Sequence, residues 1–138
     1  MILADTGFWL ALANVRDRHH ARAQKALSHI DEPLITTWPV LTETCHLLLT
    51  RLGEKSARAF VESGTRGAYE IFDISREHLP RIAELMLKYA KLPMDLADAS
   101  LVVLAEHLGT GRILSTDQRD FGAYRWKNRK PFQNLLAI

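Results

Sequence analysis

Apolar positions along the chain fall into two kinds of stretch: short continuous runs, and longer segments with helical spacing. ILAD at 2–5 is a short apolar run that ends in an acid, which predicts a buried strand. GFWLALA at 7–13 predicts a short helix. The segment 16–30 carries Ala21, Ala23, Ala26, Leu27 and Ile30 among charges and predicts a surface helix. LITT at 34–37 predicts a second strand. Pro39 suits the first turn of the next helix, which ends at Gly53. Ser56 is placed to cap a further helix to about residue 63. YEIFDI at 69–74 predicts a third strand. The segment 77–92 is amphipathic through Ile82, Leu85, Met86 and Tyr89, with Pro80 in its first turn. The segment 93–109 predicts a buried helix from Leu96 on, RILST at 112–116 a fourth strand, and LLAI at 135–138 a short last one.

Strands alternating with helices imply parallel βαβ units and a sheet covered on both faces. Ligands of such sheets bind beyond the carboxyl ends of the strands, where the strand order reverses. Acids at strand ends therefore carry information. Asp5 closes the first strand, between MILA and TGFWLAL, and Asp117 closes the fourth. If those two strands are neighbours, the two carboxylates face each other at the switch point. Asp98 precedes Leu101, Val102 and Ala105 at helical spacings, so it lies on the core-facing stripe. Asp95 stands about 60° around the helix from it. Glu43 sits early in the Pro39 helix, which also starts at a strand's carboxyl end.

Each acid also has a structural reading. Asp95 suits an N-cap, with Asp98 where the helix dipole favours negative charge. Asp5 suits a cap for the helix at Thr6, Glu43 a solvated helix position, and Asp117 and Asp120 turn positions. The joint placement favours chemistry, because independent caps need not fall on one edge. Crowded carboxylates repel, and a divalent cation relieves the repulsion. Mg²⁺ takes oxygen ligands and is held by a few carboxylates plus substrate phosphate, so the pattern points to metal-dependent phosphodiester chemistry.

Residues 119–130, RDFGAYRWKNRK, interleave Tyr124 and Trp126 with basic residues. Arg125, Lys127, Arg129 and Lys130 are candidate RNA contacts; the alternative is a solvated tail. The chain has 138 residues, enough for one domain with a sizeable core. A net charge of +2 argues only weakly for an anionic partner. The one cysteine, Cys45, has no partner for an internal disulfide and suits a reducing cytoplasm. The acid at position 5, with no basic residue before it, argues against a signal peptide. No apolar run approaches the roughly 20 residues of a membrane helix, so no membrane association is expected.

Four stretches taken in series resemble the PIN domain: ILADTGFWLAL with Asp5, LTET with Glu43, DLADASLVVLAE with Asp98, and ILSTDQRDF with Asp117. The likeness covers essentially the whole chain, and its small single-domain form is most similar to VapC-type toxins of toxin–antitoxin pairs. The resemblance implies a single domain over 1–138, a three-layer α/β/α sandwich with a central, mostly parallel sheet. It implies an endoribonuclease dependent on Mg²⁺ or Mn²⁺. It assigns Asp5, Glu43, Asp98 and Asp117 to an acidic pocket, with Asp5 and Asp98 foremost as metal ligands and Glu43 and Asp117 completing the set. Thr6 and Thr116 would support those acids by hydrogen bonds, and Asp95 is a cap and auxiliary acid. Asp120 reads as structural. The partners implied are RNA, a cognate antitoxin and a second copy of the chain. The rival readings are a related nuclease of RNA processing or decay, and a non-catalytic metal-binding module. A phospho-acceptor receiver fits poorly, because Asp5 is followed by Thr6 and no lysine follows the fourth strand until Lys127.

Overall fold

The computed structural model describes residues 1–136. Five parallel strands form the central sheet in the order β3-β2-β1-β4-β7, where β1 is Ile2–Ala4, β2 Leu34–Thr37, β3 Glu70–Phe72, β4 Arg112–Leu114 and β7 Gln133–Asn134. The chain runs outward from β1 to β2 and β3, then crosses back over β1 to reach β4. Right-handed crossovers in opposite directions put helices on both faces. β1 and β4 are direct neighbours, with Leu3 opposite Ile113 and Ala4 opposite Leu114. The order therefore reverses between them, and both Asp5 and Asp117 follow that pair at its carboxyl end.

Burial is greatest at the middle of the sheet and falls off at the edge strands β3 and β7. Every residue of β1 is buried, as are all four of β2. The helix α6, Leu96–Leu108, is buried throughout residues 99–105. It is a core helix, anchored where the Thr37 and Ser100 hydroxyls meet at 2.6 Å with both residues fully buried. Among the described residues, no helix is long and apolar enough to cross a membrane.

Several boundaries differ from the sequence reading for local reasons. The surface helix α2 is His20–Ser28, not 16–30. The Asn14 and Asp17 side chains accept the backbone N–H groups of Arg16 and His19, and such turns compete with helix. α3 is Trp38–Arg51, with the Thr37 hydroxyl accepting from the Val40 N–H and Pro39 in the first turn. α4 is Glu54–Thr65 and starts before Ser56, because Gly53 at φ 105° lets it follow α3 almost without a loop. Segment 77–92 divides into a 3₁₀ turn at Arg76–His78 and α5, Leu79–Lys88. The last sheet strand is Gln133–Asn134 and not LLAI: Leu135 and Leu136 form a turn, and 137–138 lie outside the described residues. A small hairpin, β5 Arg125–Trp126 and β6 Lys130–Pro131, turns through Lys127 and Asn128 at φ 51° and 62°. That turn has the geometry usually signalled by Asn-Gly, and Lys-Asn does not announce it.

Candidate active site

Asp5 stands at the centre. It leaves β1 in extended conformation and caps α1, Thr6–Ala13. Its Oδ1 accepts the Thr6 N–H at 2.7 Å and its Oδ2 accepts the Ser115 hydroxyl at 2.9 Å. Those two bonds favour the carboxylate, yet its pKa is raised from 3.8 to about 6. Burial is the main cause, and the charges of Glu43 and Asp117 add to it. An acid this buried, with other acids in electrostatic reach, is a poor structural choice unless a cation joins it.

Asp117 follows β4 and caps α7, Gln118–Ala123, by accepting the Asp120 N–H at 3.0 Å. Ser115, fully buried, links the two strand ends: its Oγ donates to Asp5 and accepts the Asp117 N–H at 3.0 Å. Asp117 is raised above the ordinary carboxylate range, mainly by burial and further by Asp120. Thr116 packs against the start of α1. A Cβ built on Gly7 would stand 1.9 Å from its Oγ1, so only glycine admits this approach.

Asp98 reaches the same pocket from α6. Asp95 and Asp98 form a reciprocal capping box: Asp95 Oδ1 accepts the Asp98 N–H at 2.8 Å, and Asp98 Oδ2 accepts the Asp95 N–H at 3.4 Å. Asp98 Oδ2 also accepts the hydroxyl of Tyr124 at 3.0 Å. Tyr124 is wholly buried and held edge-on between Tyr89 and Phe121. With two protein donors on Oδ2, Oδ1 is the oxygen left for a ligand. Asp98 is raised from 3.8 to about 7, first by desolvation and then by the charges of Asp95 and Asp5. Glu43, half-buried on α3, lies within electrostatic reach of Asp5.

Asp5 thus has the other three acids named from the sequence in electrostatic reach, and Asp95 caps α6 while adding its charge to Asp98. Thr6 supplies a backbone N–H to Asp5, and its buried hydroxyl has no hydrogen-bond partner among the described residues. Sequence reasoning missed Ser115 and Tyr124. Ser115 sits one residue before the threonine that was chosen, and Tyr124 reads as an interleaved aromatic of a basic tail. The four basic residues of the 125–130 segment make contacts of their own. Arg125 Nη1 donates to the carbonyls of Gly122, Ala123 and Tyr124. The Lys127 and Lys130 ammonium groups lie over Trp126, itself against Gly111 at the amino end of β4. The Lys127 N–H donates to Glu106, which is about 12 Å along α6 from Asp98. Arg129 is exposed on the same turn.

The donors in the pocket are all oxygen, which suits a hard divalent cation. Among the described residues, no three His, Cys, Asp or Glu side chains lie close enough together to hold a metal ion.

The chain is 28% identical to Ribonuclease VapC26 of Mycobacterium tuberculosis over 124 residues, which is 90% of this chain and 92% of the relative. It is 39% identical over 59 residues to 23S rRNA-specific endonuclease VapC20 of the same organism, covering 43% of this chain and 45% of that one. The crystal structure of VapC20, described as a sarcin-ricin loop cleaving toxin, superposes with a TM-score of 0.80 at 22% identity, over 86% of this chain and 92% of that one. The family model of the PIN domain matches residues 2–127, and the chain belongs to that family.

Proposed function

We propose that this chain is a Mg²⁺-dependent endoribonuclease, active also with Mn²⁺, and the toxin of a toxin–antitoxin pair. The observation that carries the reading is Asp5: a buried carboxylate at the reversal of strand order, with Glu43, Asp98 and Asp117 around it. Similarity to VapC26, a ribonuclease, over nearly the full length of both chains supports RNA as substrate. A cytoplasmic setting, a homodimer and an antitoxin that covers the pocket complete the proposal.

Asp5 and Asp98 would hold a divalent cation, directly or through water, and the cation would supply Lewis acidity for phosphodiester hydrolysis. Glu43 and Asp117 would complete the ligand set or accept the proton of the attacking water. Ser115 ties Asp5 to the Asp117 turn, and the Tyr124 hydroxyl keeps Asp98 Oδ2 occupied so that Oδ1 faces inward. The buried Thr6 hydroxyl is one more donor beside the site.

The test is cleavage of a mixed cellular RNA pool by purified chain in Mg²⁺, Mn²⁺ or EDTA, with the product ends sequenced. Discrete ends in either metal and none in EDTA are expected. Intact RNA under all three conditions, from folded chain free of antitoxin, overturns the reading.

A further inference from the structure

A groove of about 590 Å³ opens beside the acids, between α3 and the start of α6. Its walls include Trp38, Thr42, His46 and Leu96, and Glu43 and Asp95 line it as well. It shares Glu43 with the group of acids around Asp5. The size is that of a small-molecule subsite.

Trp38 is the unusual residue. Of the three tryptophans, Trp9 and Trp126 are 6% and 7% exposed, whereas Trp38 is 47% exposed. It is nonetheless held. Its indole N–H donates to Asp73 at 2.6 Å, and its backbone opens α3 just before Pro39. An exposed aromatic fixed in this way presents a flat apolar face at little further cost in side-chain entropy. Leu96, also 47% exposed, forms the opposite wall. Trp38, Thr42 and His46 follow one another at four-residue spacing, so one stripe of α3 carries a stacking face and then two polar side chains.

We propose that this groove holds an unpaired base of the RNA next to the scissile phosphate. The base stacks on Trp38, and Thr42 and His46 address its polar edge. The inference rests on the endoribonuclease reading and adds a place where sequence is read. Recognition of single-stranded RNA takes this form, with splayed bases stacked on aromatic side chains and hydrogen-bonded along their edges. A second copy of the chain, or an apolar helix, fits the groove less well. Either would take the Glu43 and Asp95 carboxylates out of water without a positive partner. A nucleotide leaves them open to water and brings its phosphate toward the cation side.

The buried positions of Trp9 and Trp126 make tryptophan fluorescence a reporter of Trp38. The probe is a short single-stranded RNA spanning a mapped cleavage site, added in Mg²⁺ to full-length chain carrying Asp98→Asn to prevent turnover. Saturable quenching is expected. Adding Trp38→Leu should abolish the quenching and weaken binding roughly five- to a hundred-fold, the range measured for one stacked base. Trp38→Phe should retain most of the affinity. Leu96→Ala, on the other wall, should weaken binding with Trp38 intact, and an abasic nucleotide at the flanking position should reproduce the loss. Equal affinity of the Trp38→Leu protein for RNA that the wild type still cuts would overturn the subsite and leave the nuclease standing. Unchanged RNA affinity with a shift from dimer to monomer in sedimentation would also overturn it, assigning the groove to a contact between copies. A wild-type chain that neither binds nor cuts RNA would remove both readings together.

Discussion

Raising the pH should destabilise the metal-free protein, because the buried acids must ionise. Asp5 has a folded pKa of about 6 against an ordinary 3.8. Its contribution to stability is fully present below 3.8 and is lost as pH rises through about 6. Across that window the folded chain keeps a proton that the unfolded chain has released, which costs about 1.4 kcal/mol per pH unit. The full loss is about 3 kcal/mol, of which a little under half falls between about pH 5 and pH 8. Asp98, raised to about 7, acts in the same direction. The assay is urea unfolding in EDTA at several pH values. Stability should fall by well over 1 kcal/mol from about pH 5 to pH 8. Asp5→Asn should flatten part of that slope, and excess Mg²⁺ should restore stability at the high end. Stability in EDTA that is flat, or that rises over this range, would refute the reasoning, since it would mean the acids ionise in the fold without penalty.

Tyr124→Phe removes one donor to a charged acceptor, worth roughly 1.5–3 kcal/mol, and leaves the ring packing in place. Mn²⁺ affinity and cleavage should both fall, and far-UV circular dichroism should be unchanged. Gly7→Ala drives a methyl group into Thr116, and overpacking of this kind costs about 1–3 kcal/mol. Its melting temperature should drop, and cleavage should fall further than stability alone accounts for, because the Asp117 turn moves. Asp98→Asn should lose cleavage while keeping its fold by circular dichroism; activity equal to wild type in matched metal would remove its assigned role. Neutralising Lys127, Arg129 and Lys130 should leave single-turnover cleavage of a short oligonucleotide intact, since the hairpin stands about 12 Å along α6 from Asp98. Only longer RNAs should show a reduced salt dependence of binding.

Much of the site was legible because its acids interrupt apolar runs. A carboxylate ending ILA or ILST breaks a local rule, and breaks of that kind mark function. The neighbour relation of β1 and β4 was an assumption in the sequence and is a pairing in the structure. Asp95 and Asp98 show why cap and catalyst are hard to separate by pattern: Asp98 both closes a capping box and turns an oxygen toward the pocket. Contacts made across the fold were not legible. The Ser115 bond to Asp5 and the Tyr124 bond to Asp98 join residues far apart in sequence, and a serine before a turn or a tyrosine among arginines carries no periodic signal. The placement of the basic stretch was hidden for a related reason. Charge density is visible in a sequence, but the end of the sheet to which a hairpin folds is decided by Trp126 packing against Gly111 and by Glu106 accepting from Lys127.

The central claim is that these acids form one cation site. It is tested most directly by titrating Mn²⁺ into wild-type chain and into Asp5→Asn near pH 7, following free Mn²⁺ by electron paramagnetic resonance. The account predicts saturable binding to wild type, with protons released as metal enters, and binding to Asp5→Asn weakened at least roughly ten-fold, the order seen when a group that orients a metal ligand is lost. Equal Mn²⁺ affinity in the two proteins would contradict it.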